Sequence, residues 1–261
     1  MYDLPALESA LAGTLFAGRI HHTPSTGSTN TDAVQAARAG APHGSVFVTE
    51  EQTAGRGRGH HAWQSNAGQG LYVSVLLRPA FPAVRLLLVP LAAGLAALQA
   101  IHAAAGLTAD LRWPNDLLLG DRKTGGILVE SKTEAGAVAH VVIGIGINVH
   151  QRTFPQDLAT PATSLDLEAD RHIHRQHLLV ALLKSLERES GALADSDAAG
   201  SIPARLAQAS TWIRGRRVQV HGPQACTGIT EGLDEFGFLR VRTADGLVQV
   251  QTGGIRAAEA S

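Results

Sequence analysis

Thr53-Ala54-Gly55-Arg56-Gly57-Arg58-Gly59-His60-His61-Ala62-Trp63-Gln64-Ser65 is the stretch on which the reading of this chain turns. It leaves one apolar strand pattern, Ser45-Val46-Phe47-Val48-Thr49, and leads into another, Leu71-Tyr72-Val73-Ser74-Val75-Leu76-Leu77. Alternating glycines let backbone N–H groups approach an anion, because no Cβ intervenes. Arg56 and Arg58 supply permanent planar charge for phosphate or carboxylate. Trp63 supplies a ring to cover a base or a lipophilic ligand. The segment suits closure over a nucleotide and is expected to be mobile until an anionic ligand orders it. Taken alone, it reads equally well as a hairpin loop with solvated arginines.

Upstream, Ser28-Thr29-Asn30 opens a helix running to about Ala39. It serves as a simple cap or as a polar helix N-terminus that binds a small ligand. Downstream, Arg112-Trp113-Pro114-Asn115-Asp116 marks a tight turn between short strands. Gly120-Asp121 makes a hairpin, and Lys123-Thr124-Gly125-Gly126 opens the next strand. A lysine followed by two glycines at a strand start suits a carboxylate or phosphate. In Val141-Val142-Ile143-Gly144-Ile145-Gly146-Ile147-Asn148 the two glycines share one face of a buried strand. That bare face admits a flat ligand or packs closely against a helix.

The remainder sets the frame. A chain of 261 residues, 44% hydrophobic and 17% charged, has enough core for one large domain and a small one. A formal net charge of -1 offers no field for nucleic acid or membrane. Cys226 stands alone, so no internal disulfide forms and a reducing compartment fits. The start lacks a secretory pattern, and the apolar run from Leu86 to Ala105 reads as a buried helix. A short helix is expected over residues 1–18, a helix from about His174 to Ser190, a loop over 192–201, and a helix over 203–211. His172, His174 and His177 show no carboxylate at zinc-site spacing and read as solvated or capping. From Arg216 the pattern changes to short alternating strands with turns at Gly222-Pro223, Gly237 and Asp245-Gly246, the size of a small β-barrel.

These five motifs, in this order, resemble those of the biotin–protein ligases, which biotinylate the carrier subunit of acetyl-CoA carboxylase. The resemblance implies an α+β fold: a mixed β-sheet catalytic domain with packed helices, like class II synthetases and biotin/lipoyl ligases, over residues 1–212. An SH3-like β-barrel over 213–261 follows. It implies ATP and biotin as substrates, with Mg²⁺ carried on the ATP phosphates and no metal held by the protein alone. The acceptor is a lysine of the biotin carboxyl carrier protein. It implies a cytoplasmic, monofunctional enzyme without a DNA-binding domain, with no DNA or membrane partner, and admits a homodimer.

Matched residue by residue, the resemblance places Ser28, Thr29, Asn30, Gln52, Gly55, Arg56, Gly57, Arg58, Trp63, Asn115, Lys123, Gly126, Gly144, Gly146 and Asn148 against biotin and the adenylate. Arg58, Lys123, Arg112 and Asp116 fall beside the reacting atoms. Asp116 either accepts the proton of the incoming lysine or forms a structural salt bridge with Arg112. The loop departs from the family's Gly-Arg-Gly-Arg-Arg-Gly-Arg at Gly59, His60 and His61, which removes fixed charge after Arg58. Arg112 stands where the family carries lysine. Lipoate ligases and octanoyltransferases share the fold and a key lysine, but the arginine loop with Trp-Pro-Asn-Asp favours biotin. A non-enzymatic biotin sensor is the binding-protein alternative.

Overall fold

The computed structural model describes residues 1–258, with all their side chains except that of His60. Strands β1 (Ile20–Thr26), β2 (Ser45–Gln52), β3 (Gly70–Leu77), β4 (Asp110–Arg112), β5 (Asp116–Leu119), β6 (Arg122–Glu134) and β7 (Ala137–Asn148) form one sheet in the order β1-β2-β3-β7-β6-β5-β4. β1 and β2 run parallel, joined through helix α2 (Thr29–Arg38), and every other neighbouring pair is antiparallel. The sheet is therefore mixed.

Strand parity decides which residues face which layer. Because side chains alternate across a strand, Val73, Val75 and Leu77 on β3 and Val141, Ile143, Ile145 and Ile147 on β7 enter the main core. There they meet α3 (Val89–Ala105) and α5 (Arg175–Ala194). α3 is apolar all round, as a helix buried on most sides should be. Residues Ala83–Ala105 are long and apolar enough to cross a membrane by length and composition, yet 67% of the most apolar window is buried within this fold. The opposite face carries Leu76 and Val142, which pack with Ala33 and Ala37 of α2 in a separate small cluster. Helices thus cover both faces. The Gly144–Gly146 face lies on the α2 side, away from the long helix.

Two expectations about helices are corrected. The N-terminal helix α1 spans only Leu4–Ala10; Gly13 and Gly18 adopt positive φ and turn the chain, while Leu11 and Phe16 are still fully buried. Residues 192–201 are helical rather than a loop: α5 continues to Ala194 and α6 runs from Ser196 to Ala209. Asp195 is the reason. Its carboxylate accepts hydrogen bonds from the backbone N–H groups of Asp197 and Ala198, both at 2.9 Å, and caps α6. A short helix α4 (Leu165–Ala169) precedes α5.

After Trp212 the chain forms a second, wholly antiparallel sheet of β8 (Arg214–His221), β9 (Cys226–Leu233), β10 (Leu239–Thr243), β11 (Gly246–Val250) and β12 (Gly254–Ala257), in the order β11-β10-β9-β8-β12. Among the described residues, polar side-chain contacts join it to the first unit. Trp113 Nε1 donates to Gly237 O at 3.1 Å, Arg216 pairs with Asp121 at 2.7 Å, and Arg58 reaches Thr252 and Gly253. The last three residues of the expected second domain lie outside the described residues.

Candidate active site

The site forms where the N-terminus of α2, the loop after β2 and the middle of β6 and β7 meet. Ser28 is the N-cap of α2 in extended backbone, and Ser28, Thr29 and Asn30 are all buried. None of the described bonds uses the Ser28 hydroxyl as a cap. Thr29 donates from N and from Oγ1 to Gln52 Oε1, at 2.9 and 3.1 Å. Gln52 Nε2 donates to Ser65 Oγ at 2.8 Å. Ser74, fully buried on β3, is placed to bond Thr29 Oγ1 at 2.8 Å and Asn30 Oδ1 at 2.6 Å. Asn30 Nδ2 donates to Glu130 Oε2 at 2.8 Å, and Arg56 Nη2 donates to the same oxygen at 2.8 Å. One polar chain therefore runs from Ser65 through Gln52, Thr29, Ser74, Asn30 and Glu130 to Arg56. Its members hold one another at fixed rotamers in a region that is otherwise apolar. The outer Arg56–Glu130 pair is partly exposed and contributes under about 1 kcal/mol, so it orients Glu130 more than it stabilises the fold.

The glycines of β7 have a definite reason. A Cβ on Gly144 would lie 2.0 Å from Asn30 Oδ1, and one on Gly146 would lie 2.5 Å from Trp63 Nε1. The bare strand face is occupied by protein groups, the Asn30 amide and the Trp63 indole. The expected open floor for a flat ligand is thus lined by side chains, and close packing comes from α2 and the loop. A Cβ on Gly126 would lie 3.6 Å from Cζ3 of the same indole, in ordinary contact.

The loop itself is folded. Gln52 N donates to Ser65 O at 3.1 Å, Trp63 N to Gly55 O at 2.9 Å, and Gly57 N to His61 O at 2.7 Å, so the segment is a laddered hairpin. At Gly55 a Cβ would meet Trp63 O at 2.3 Å, which requires glycine there for packing. In this ladder the two limbs satisfy each other's backbone groups. The His60 side chain lies outside the described set.

Cations gather at the mouth. Asp116 sits between two of them: Oδ1 is 2.5 Å from Lys123 Nζ and Oδ2 is 2.6 Å from Arg112 Nη2. Burial opposes its ionisation, but Lys123 and Arg112 outweigh that and hold the carboxyl below the usual carboxylate range. A carboxylate so held is a weak proton acceptor near neutral pH, and its geometry favours positioning the two cations. Lys123 Nζ also lies 5.5 Å from the centre of the Trp63 ring. Its backbone is clamped by the 160s segment, with Lys123 N donating to Pro161 O at 2.7 Å and Thr163 N donating to Lys123 O at 2.9 Å.

Three matched residues are engaged elsewhere. Arg58 Nη2 donates to Thr252 Oγ1 at 3.1 Å, and Nη1 donates to Gly253 O, so its guanidinium faces the second sheet. Asn115 Nδ2 donates to Ile127 O at 2.8 Å, securing the turn between β4 and β5. Asn148 Nδ2 donates to Thr163 O at 3.0 Å, bracing the segment over Lys123. Glu130, Ser74, Ser65 and Thr163 were not singled out from sequence. Ser74 carried a signal, being the one small polar residue in the run Leu71–Leu77, and Glu130 lies on the Lys123 strand, where it meets Arg56.

Against this geometry the comparisons define first a class. Residues 23–148 match the Biotin/lipoate A/B protein ligase family, and residues 214–255 match the Biotin protein ligase C terminal domain. The bifunctional ligase/repressor BirA of Bacillus spizizenii is 35% identical over 236 residues, which take in 87% of this chain and 70% of that protein. The biotin--[acetyl-CoA-carboxylase] ligase of Mycobacterium tuberculosis is 34% identical over 236 residues, covering 88% of this chain and 85% of its own. The biotin protein ligase from Aquifex aeolicus, solved in complex with biotin and ATP, matches with a TM-score of 0.77 and 25% identity over 92% of this chain and 98% of that one. The chain belongs to the biotin protein ligase family.

Proposed function

We propose that this protein activates biotin with ATP to biotinyl-5'-AMP and transfers the biotinyl group to a lysine of the biotin carboxyl carrier protein of acetyl-CoA carboxylase. The observation that carries the reading is the paired cation site, Lys123 and Arg112 on one half-buried carboxylate, beside the Trp63-covered strands. A carboxylate is a poor acyl donor because oxide would have to leave. Attack of a biotin carboxylate oxygen on the α-phosphorus forms an O–P bond and releases pyrophosphate. The acceptor amine then attacks the acyl carbon, loses a proton, and AMP departs.

The first step brings two anions together, and fixed cations lower its barrier by positioning and electrostatics. Lys123 faces the reacting oxygens in this reading, Arg112 and Asp116 hold it in place, and Arg56 and Arg58 serve the adenylate. Ser28, Thr29, Asn30 and Gln52 receive the polar groups of biotin, while Trp63 and the backbone at Gly126, Gly144 and Gly146 enclose it. Mg²⁺ enters with the triphosphate: Asp116 and Glu130 are already paired to cations, which leaves a poor donor set for an ion of the protein's own. The second sheet, which we take as an SH3-like barrel, covers the loop through Arg58. We place the enzyme in the cytoplasm, acting without DNA or membrane, and leave room for a homodimer.

Biotin-dependent exchange of labelled pyrophosphate into ATP tests the reading. Exchange with biotin and none with lipoate is expected. Exchange with lipoate alone would assign the chain to the lipoate side of the wider family. No exchange with either, alongside tight biotin binding, would make it a sensor.

A further inference from the structure

Away from the cation site, the end of β7, α4 and the start of α5 bring three donors together. We propose that His150, Asp166 and His172 bind a divalent transition-metal ion of the zinc class. The histidines were read from sequence as lacking a carboxylate; Asp166, six residues before His172 and on a different element, supplies it.

The distances fit such an ion. Asp166 Oδ2 lies 2.8 Å from His150 Nδ1 and 3.5 Å from His172 Nδ1, and one donor atom from each residue lies within 4.8 Å of the others. A tetrahedral ion with bonds of about 2.0–2.1 Å holds its donors roughly 3.3 Å apart. The two observed separations straddle that value. Both imidazoles turn the same nitrogen toward one oxygen, with rings stacked 4.4 Å apart at 10°.

The carboxylate is prepared for the task. Asp166 is buried, its second oxygen accepts the Ile173 N–H at 2.9 Å, and its own N–H donates to Val149 O at 2.9 Å. An outer hydrogen bond that fixes a ligating carboxylate is the usual support of a metal site. Two imidazoles with one carboxylate select zinc, cobalt or nickel over calcium or magnesium, which prefer oxygen.

The site also has an entry. The His172 side chain is 65% exposed, and a cavity of about 430 Å³ lined by His150, His172, His174, Arg175 and His177 opens beside it. The neighbouring Arg175 is neutralised by Glu50 at 2.7 Å. His174 stands 5.4 Å from His172 and His177 5.1 Å from His174, centre to centre, so spare imidazoles line the approach. Three protein ligands leave a fourth position for water. The ion would staple the residue after Val149 to the segment that clamps Lys123, which makes it a brace for the loop rather than a participant in adenylation.

The test uses tag-free protein stripped with chelator and titrated with Co²⁺ alone, followed by visible absorption, then with Zn²⁺ alone by calorimetry. One equivalent of each is expected, with intense tetrahedral Co²⁺ bands and a raised Tm. His172→Ala, a change at an exposed side chain, should weaken binding by more than about 100-fold, since outer-shell changes already cost about 10–100-fold. Asp166→Asn keeps an oxygen for the Ile173 N–H and should also lose the ion while its circular dichroism stays that of wild type. Absence of saturable binding to the wild type would overturn the proposal. So would unchanged affinity in His172→Ala, or loss of binding in His177→Ala with His172→Ala unaffected.

Discussion

Gly144→Ala puts the smallest side chain where the site has least room. The new Cβ would stand 2.0 Å from Asn30 Oδ1 and 2.8 Å from its Cγ. Ordinary contact requires about 3.5 Å or more, so the Asn30 amide has to move by more than 1 Å, as an order-of-magnitude displacement. It cannot do so freely. Its oxygen is bonded to the fully buried Ser74 hydroxyl at 2.6 Å and its nitrogen to Glu130 at 2.8 Å. Leaving a buried polar group without a partner costs about 1–3 kcal/mol, and overpacking adds about 1–3 kcal/mol. The expected loss is about 2–6 kcal/mol in stability, with a weakening of biotin binding if, as proposed, the same amide receives the ligand. Denaturant unfolding and calorimetry with biotin measure the two. A double-mutant cycle isolates the cause: Asn30→Ala removes the obstructed group, so adding Gly144→Ala to it should cost little, and the coupling should exceed about 1 kcal/mol. Additive losses, or a Gly144→Ala protein within about 0.5 kcal/mol of wild type, would refute the contact as the reason for glycine.

Lys123→Ala should keep the fold and lower the rate of adenylation on the order of a hundredfold or more; wild-type pyrophosphate exchange would remove the role. Arg58→Gly should release adenylate that labels an unrelated lysine-rich protein and also lower Tm slightly through its lost bonds to Thr252 and Gly253, and unchanged labelling would separate Arg58 from retention. Glu50 gives a pH dependence. Burial opposes its ionisation, but its bond and pairing with Arg175 prevail and hold its folded pKa below the ordinary value of 4.5. The pair's contribution is therefore complete above pH 4.5 and fades as pH falls through the lower folded value. Glu50→Gln should be less stable than wild type at pH 7, with the gap narrowing below pH 4.5, as urea midpoints across that range would show.

The sequence carried the strands well because their residues are set by local pattern: Val138 to Val149 is read as a buried strand from its β-branched residues, and β7 spans Ala137–Asn148. It carried the motif residues too, but not their partners. Nothing near Asn30 in sequence points to Glu130, a hundred positions away, and only the register of β6 against β7 brings that carboxylate to α2. The error over residues 192–201 has a similar origin. Gly, Ser and Asp were weighed as loop formers, whereas Asp195 caps a helix whose Ala199, Ile202 and Leu206 face the core. Composition reports propensity, and burial of one face overrides it. The carboxylate beside the histidines was missed for the same reason, since Asp166 reaches them by a turn in the chain rather than by a motif spacing.

Arg58 presents one guanidinium to two competing customers. In the structure it holds the C-terminal strands by Thr252 and Gly253; under the proposed function an anionic adenylate asks for the same donors. Occupancy by one is then exclusion of the other, and linkage makes the exchange reciprocal. Whatever loosens the second sheet frees Arg58 and tightens the grip on the adenylate, and whatever claims Arg58 for the adenylate loosens the sheet by the same factor.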